Sequence, residues 1–131
     1  MRRSLTSASA AAAILALSAC AAPTPPDRTF PVFFLDYSDV VDAPAQDVVA
    51  RAATVAKQFP RAPVTVQGFA DEPADPAVSA RHSKARADAV AGLLIADGVR
   101  ADRIQRFARG TPPGSEPGLP SRRAEIDVDV P

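Results

Sequence analysis

The chain opens with a basic start at Arg2 and Arg3, followed by an apolar run from Ala10 to Leu17 that ends at Ser18-Ala19-Cys20. The run falls well short of the roughly 20 apolar residues a helix needs to cross a bilayer. A positive start, a short apolar core and small residues at its end have the pattern of a secretory signal. Next comes Ala21 to Thr29 (AAPTPPDRT), whose three prolines read as a tether rather than a packed element.

From Phe30 the pattern becomes that of a folded domain. Phe30 to Leu35 (FPVFFL) is an apolar, aromatic strand ended by Asp36-Tyr37-Ser38-Asp39. Asp42 then precedes a helix with Pro44 in its opening turn. Val48, Val49, Ala52, Val55, Ala56 and Phe59 recur there at helical spacing, and Pro60 closes the element. Pro63 to Phe69 (PVTVQGF) alternates, with Val64, Val66 and Gly68 on one face and Thr65, Gln67 and Phe69 on the other. Ser79 is the predicted cap of a second helix reaching about Asp97, with Ala87, Val90 and Leu94 inward and Gly98 as its stop. A short strand follows over Arg103 to Ala108, with Ile104 and Phe107 as its apolar members. The proline- and glycine-rich stretch Arg109 to Pro120 cannot be regular. The last strand, Arg122 to Val130, sets Ala124, Ile126, Val128 and Val130 inward against Arg123, Glu125, Asp127 and Asp129 outward. The expected fold class is therefore α/β, an α+β sandwich in the order β-α-β-α-β-β. Two helices cover one face of a four-stranded mixed sheet and water covers the other.

Composition narrows the picture. Without residues 1–19 the chain keeps 112 residues, enough for one domain with a modest core. The signal holds two of the 15 basic residues and none of the 15 acidic ones, so the remainder carries a net of −2. That balance supplies no general attraction to nucleic acid. Cys20 is the only cysteine and can have no disulfide partner within the chain. Leu17-Ser18-Ala19-Cys20 resembles the lipobox of bacterial lipoproteins. The resemblance implies cleavage before Cys20 and lipidation of that cysteine with more than one acyl chain, as stable anchoring requires. Ala21 is not the aspartate that resemblance associates with inner-membrane retention, so the outer membrane is the expected location, with the domain facing the periplasm. The ten residues from Cys20 to Phe30 reach about 30 Å when extended.

Few residues suggest chemistry. His82 is the single histidine; adjacent positions on a helix diverge, so it makes no nucleophile–base pair with Ser83. Asp71, Glu72 and Asp75 lack the spacing of a calcium loop. No enzymatic site, metal or cofactor is therefore expected. A charge pairing remains. Asp71 follows the second strand, and Arg86 stands fifteen residues later on the next helix. Arg122, at the start of the last strand, reaches the same sheet edge if that strand runs antiparallel to the second. A guanidinium fork suits a carboxylate, and Asp71 suits an ammonium, so the pair could grip the free end of an amino acid. A structural Asp71–Arg86 salt bridge fits the spacing equally well.

Three blocks bear on that choice: GFAD at 68–71, SARHSKARADAV at 79–90 and SRRAEIDV at 121–128. They resemble the G-h-T-D turn, the N-x-x-L-S-x-x-R-A-x-x-V helix and the N-R-R-V-E-I strand of OmpA-like peptidoglycan-binding domains, in the same order and over the same pattern of elements. The similarity covers about Phe30 to Val130, giving a signal at 1–19, a lipidated tether at 20–29 and the domain at 30–131. It implies non-covalent binding of peptidoglycan through the diaminopimelate residue of the stem peptide, linking membrane to wall. Ligand-binding roles are carried over to Asp71, Arg86, Arg122 and Ser79, while Ser83, Ala87, Val90 and Leu94 match the family's helix positions. Several positions depart from the pattern: Ala70 for threonine, Val78 for tyrosine, Ser79 and Ser121 for asparagine, and His82 for leucine. These thin the uncharged surroundings of the two charges. They define an alternative, a domain of the same fold serving structure or protein interaction with a degenerate wall site.

Overall fold

The computed structural model describes residues 28–71, 75–114 and 118–131. The signal run, Cys20 and the tether up to residue 27 lie outside the described residues, as does Glu72. Six main elements follow in order: β1 (Thr29–Phe33), α1 (Ala43–Gln58), β2 (Val64–Phe69), α2 (Pro76–Ala96), β3 (Ile104–Gly110) and β4 (Arg123–Val128). This is the expected β-α-β-α-β-β order, with 3₁₀ turns at Ala101–Arg103 and Leu119–Ser121. The sheet order is β1-β4-β2-β3. Strand β2 is parallel to β3, and β4 lies between β1 and β2, antiparallel to both. The carboxyl ends of β1, β2 and β3 and the start of β4 therefore share one edge.

Alternation decides which face is dry. Val32, Val64, Val66, Ala124, Ile126 and Val128 are buried under the two helices, while Thr65, Gln67, Glu125 and Asp127 between them keep access to water. On that wet face Asp127 accepts from Thr29 Oγ1 (2.7 Å) and Gln67 Nε2 (3.2 Å), knitting three strands together. Helix α1 buries Ala45, Val49, Ala52, Ala53 and Ala56; the expected Val48, Val55 and Phe59 are only partly buried at the margin. Small side chains allow a helix to lie close to a sheet, so the alanines occupy the contact.

Gly68 shows how close the second helix comes. A Cβ there would lie 1.9 Å from the Ser83 carbonyl oxygen, so α2 rests its backbone directly on β2. At the far end of α2, the Gly98 N–H reaches the Ile95 carbonyl (3.0 Å) and the Val99 N–H the Leu94 carbonyl (2.9 Å). Gly98 has φ +98°, a left-handed stop that satisfies the last carbonyls of the helix.

Several boundaries differ from expectation, each for a local reason. Helix α2 begins at Pro76, capped by Asp75, whose side chain accepts from the Ala77 N–H at 2.8 Å. Ser79 is thus not the cap; it lies inside the first turns, buried. Pro76 at the first helical position sacrifices no hydrogen bond there, which favours the earlier start. Strand β1 runs Thr29–Phe33 rather than Phe30 to Leu35, because the last sheet bond is the Phe34 N–H to the Arg122 carbonyl (2.9 Å) and Tyr37 then turns at φ +51°. Strand β3 extends to Gly110, and Phe107, opposite Gln67, faces the wet side rather than the core. Its ring is covered instead by the Arg109 guanidinium at 4.6 Å.

Candidate functional site

The shared sheet edge gathers the segment after β1, the exit of β2, the start of β4 and the first half of α2. Arg86 sits at their junction with 0 % exposure. Its position is fixed by the Gly68 contact, since Ser83 and Ala87 on either side are the helix residues pressed against β2. The guanidinium is spread over backbone carbonyls: Nε to Ser38 at 2.9 Å, one terminal nitrogen to Phe69 at 3.0 Å and the other to Leu35 at 3.4 Å. Its central carbon also stands 5.3 Å from the centre of the Phe34 ring. Burying a cation is costly unless it is hydrogen-bonded, and each such bond to a charged group contributes about 1.5–3 kcal/mol. Arg86 therefore staples α2 to the exit of β2 and to the segment Leu35–Ser38.

Asp71 follows Phe69 by two residues and is half-buried. Among the described residues it makes no ion pair with Arg86. The direct Asp71–Arg86 bridge that the spacing allowed is not formed, and the arginine turns to carbonyls instead. The Phe69 contact nonetheless brings the Arg86 guanidinium to the strand exit, two residues before Asp71.

Arg122 also reaches this edge, because β4 runs antiparallel to β2 as the sequence argument required. One of its terminal nitrogens pairs with the Asp36 carboxylate. Its Nε is buried and has no hydrogen-bond acceptor among the described residues. The next residue, Arg123, turns to the wet face, where it bonds Glu125 (2.7 Å) and covers the Phe69 ring at 4.4 Å. Ser79 and Ser121 are both buried, and Ser83 Oγ bonds back to the Ala80 carbonyl at 2.9 Å. His82 is half-buried, with Tyr37 edge-on at 6.3 Å and 71°. An aromatic neighbour from the loop thus accommodates the ring at a position where leucine was expected.

The structure brings Asp71, Arg86 and Arg122 to one edge and sets Ser79 inside the adjoining turn of α2. Sequence reasoning missed the segment Leu35–Asp39 as the common partner of both arginines. The only hint was its position, between an apolar strand and a capped helix. Among the described residues, no group of three or more His, Cys, Asp or Glu side chains is placed to hold a metal ion. No helix among them is long and apolar enough to cross a membrane.

The architecture is that of a two-helix, four-stranded OmpA-like domain. The OmpA family pattern matches residues 33–125, and the chain belongs to that family. Among solved structures, the chain is similar to the peptidoglycan-associated lipoprotein of Burkholderia pseudomallei, with TM-score 0.63 and 21 % identity over 79 % of this chain and 89 % of that one. The OmpA-like domain of FopA1 from Francisella tularensis gives TM-score 0.67 and 20 % identity, over 76 % and 73 % of the two chains. The C-terminal domain of Helicobacter pylori MotB gives 0.66 and 25 %, over 77 % and 84 %. No curated protein sequence matches the chain at significant strength.

Proposed function

We propose that the chain is an outer-membrane lipoprotein, anchored through Cys20, whose periplasmic domain binds peptidoglycan non-covalently by the diaminopimelate residue of the stem peptide. Asp71 takes the ammonium of that residue, and Arg86 and Arg122 supply positive charge toward its carboxylate, with Ser79 in the turn beside them. The observation that carries this reading is the Arg86–Phe69 contact of 3.0 Å, which sets a buried guanidinium beside the strand exit leading to Asp71. Membership of the OmpA family and likeness to a peptidoglycan-associated lipoprotein support the choice of ligand. The lipid at Cys20 and the wall site would form the two ends of one link, separated by at most about 30 Å of tether.

A second reading is favoured by one specific arrangement. Arg86 already engages the Leu35, Ser38 and Phe69 carbonyls and Arg122 already holds Asp36, so the edge could serve as scaffold alone. Sedimentation of the full chain with purified diaminopimelate-type sacculi, in mild detergent, separates the two. Asp71→Ala is the informative variant, because Arg86→Ala would also release the carbonyls it staples. Retention by wild type and a fall of about tenfold for Asp71→Ala, roughly one charge-assisted hydrogen bond, supports wall binding. Equal retention of the two defeats it.

A further inference from the structure

We propose that Asp36 is an internal competitor for the ligand carboxylate at Arg122 and so sets how strongly this domain reads that carboxylate. The inference rests on the wall-binding reading above. It begins from an unequal pairing. The Asp36 side chain is 69 % exposed, whereas that of Arg122 is 21 % exposed. The carboxylate is thus the solvated, replaceable partner and the guanidinium the fixed one. The pairing is also incomplete: Asp36 meets one terminal nitrogen, and the buried Nε–H has no acceptor among the described residues. A guanidinium fork is best satisfied by a carboxylate that bridges two of its nitrogens side by side. Once Asp36 is displaced, an incoming carboxylate can bridge the two terminal nitrogens, a geometry that the single Asp36 contact does not supply.

The place of Asp36 in the chain makes the competition selective. Arg86 holds the carbonyls of Leu35 and Ser38 on either side, so Asp36 is presented to Arg122 by a stapled segment rather than by a free loop. Within the segment Leu35–Ser38 the atoms Arg86 holds are backbone carbonyls, not the Asp36 side chain. Losing the Asp36 charge therefore leaves the segment in place and frees the fork alone. An exposed ion pair is worth little, and removing this competitor is expected to tighten carboxylate binding about two- to fivefold.

The test uses the full chain in detergent and a diaminopimelate-containing tripeptide stem as probe, in free-acid form and with the side-arm carboxylate amidated. Asp36→Asn is expected to bind the free acid about two- to fivefold more tightly than wild type, with its melting temperature lowered by about 2–6 °C as the internal pair is lost. It should bind the amidated stem no better than wild type. In an Arg122→Ala background, Asp36→Asn should have no effect on either probe. An unchanged or weaker affinity of Asp36→Asn for the free acid overturns the proposal. So does an equal gain in the Arg122→Ala background, which would mean general charge repulsion. If wild type binds neither probe better than Asp71→Ala does, the wall-binding reading itself has failed, a result distinct from both.

Discussion

Gly68→Ala puts the contact between α2 and β2 to the test. The added Cβ would sit 1.9 Å from the Ser83 carbonyl oxygen, 2.9 Å from its carbon and 3.0 Å from the Ala87 nitrogen. All three are backbone atoms, so no side chain can swing aside. Restoring an ordinary contact near 3.4 Å would push helix and strand apart by about 1.5 Å in a close-packed interior. Inserting a carbon into such a core costs about 1–3 kcal/mol, and the backbone nature of the clash places this case at the upper end or beyond. For a domain of about 100 residues, each 1 kcal/mol lowers the melting midpoint by about 4–8 °C, so a loss of about 10–20 °C is expected. Function should suffer too, since Arg86 lies between the two displaced helix residues and would be drawn away from the Phe69 carbonyl. Thermal and urea unfolding of the purified chain measures the effect. Gly92→Ala is the control, because its Cβ would meet nothing within 4 Å on an exposed helix face. That variant should gain about 0.5–1 kcal/mol from helix propensity. A Gly68→Ala midpoint within about 2 °C of wild type would refute the direct backbone contact between α2 and β2.

Two further variants examine the charged residues. Arg86→Lys keeps the charge but cannot span three carbonyls with one ammonium; it should cost about 2–3 kcal/mol and open Leu35–Asp39 to limited proteolysis, whereas an unchanged midpoint would refute the staple. Asp88 accepts from Lys84 and, at 3.3 Å, from Arg106 on β3. The Lys84 hydrogen bond chiefly holds its carboxyl below the ordinary value of 3.8; burial opposes this and Arg106 adds to it. A lowered folded value means that the stabilisation is present above the ordinary aspartate range and lost as pH falls through the folded value. Because the pair is partly exposed, Asp88→Asn should cost only about 0.3–1 kcal/mol in urea melts at pH 7, with the difference shrinking as pH falls below the ordinary aspartate range.

Much of this architecture was readable along the chain because its causes are local. The alternation from Ala124 to Val130, the helical recurrence around Val49 and Val90, and the stops at Pro60 and Gly98 all lie within a few residues of what they determine. Boundaries were less legible where two local signals competed. Asp75 and Ser79 are both capping residue types, and Pro76 settled the start of α2 in favour of the first. Phe107 was legible only as an apolar member of its strand, and its register opposite Gln67 placed it on the wet face. Arg103 gave no sign that it would gather the carbonyls of Ala56, Phe59 and Ala62 at the end of α1, at 3.0, 2.8 and 2.6 Å from one terminal nitrogen.

The candidate site divides along the same line. Sequence alone marked Asp71, Arg86 and Arg122, because charged residues at a strand exit, a helix and a strand start are visible as letters and spacings. Only the tertiary structure decided what the two arginines hold. Arg86 takes carbonyls 48 and 51 residues away in the chain, and Arg122 takes a carboxylate from the same segment. Every residue carries a backbone carbonyl, so no sequence pattern distinguishes the few that a buried guanidinium will bind. Their selection depends on β4 lying between β1 and β2 and on a glycine that lets one helix touch the sheet.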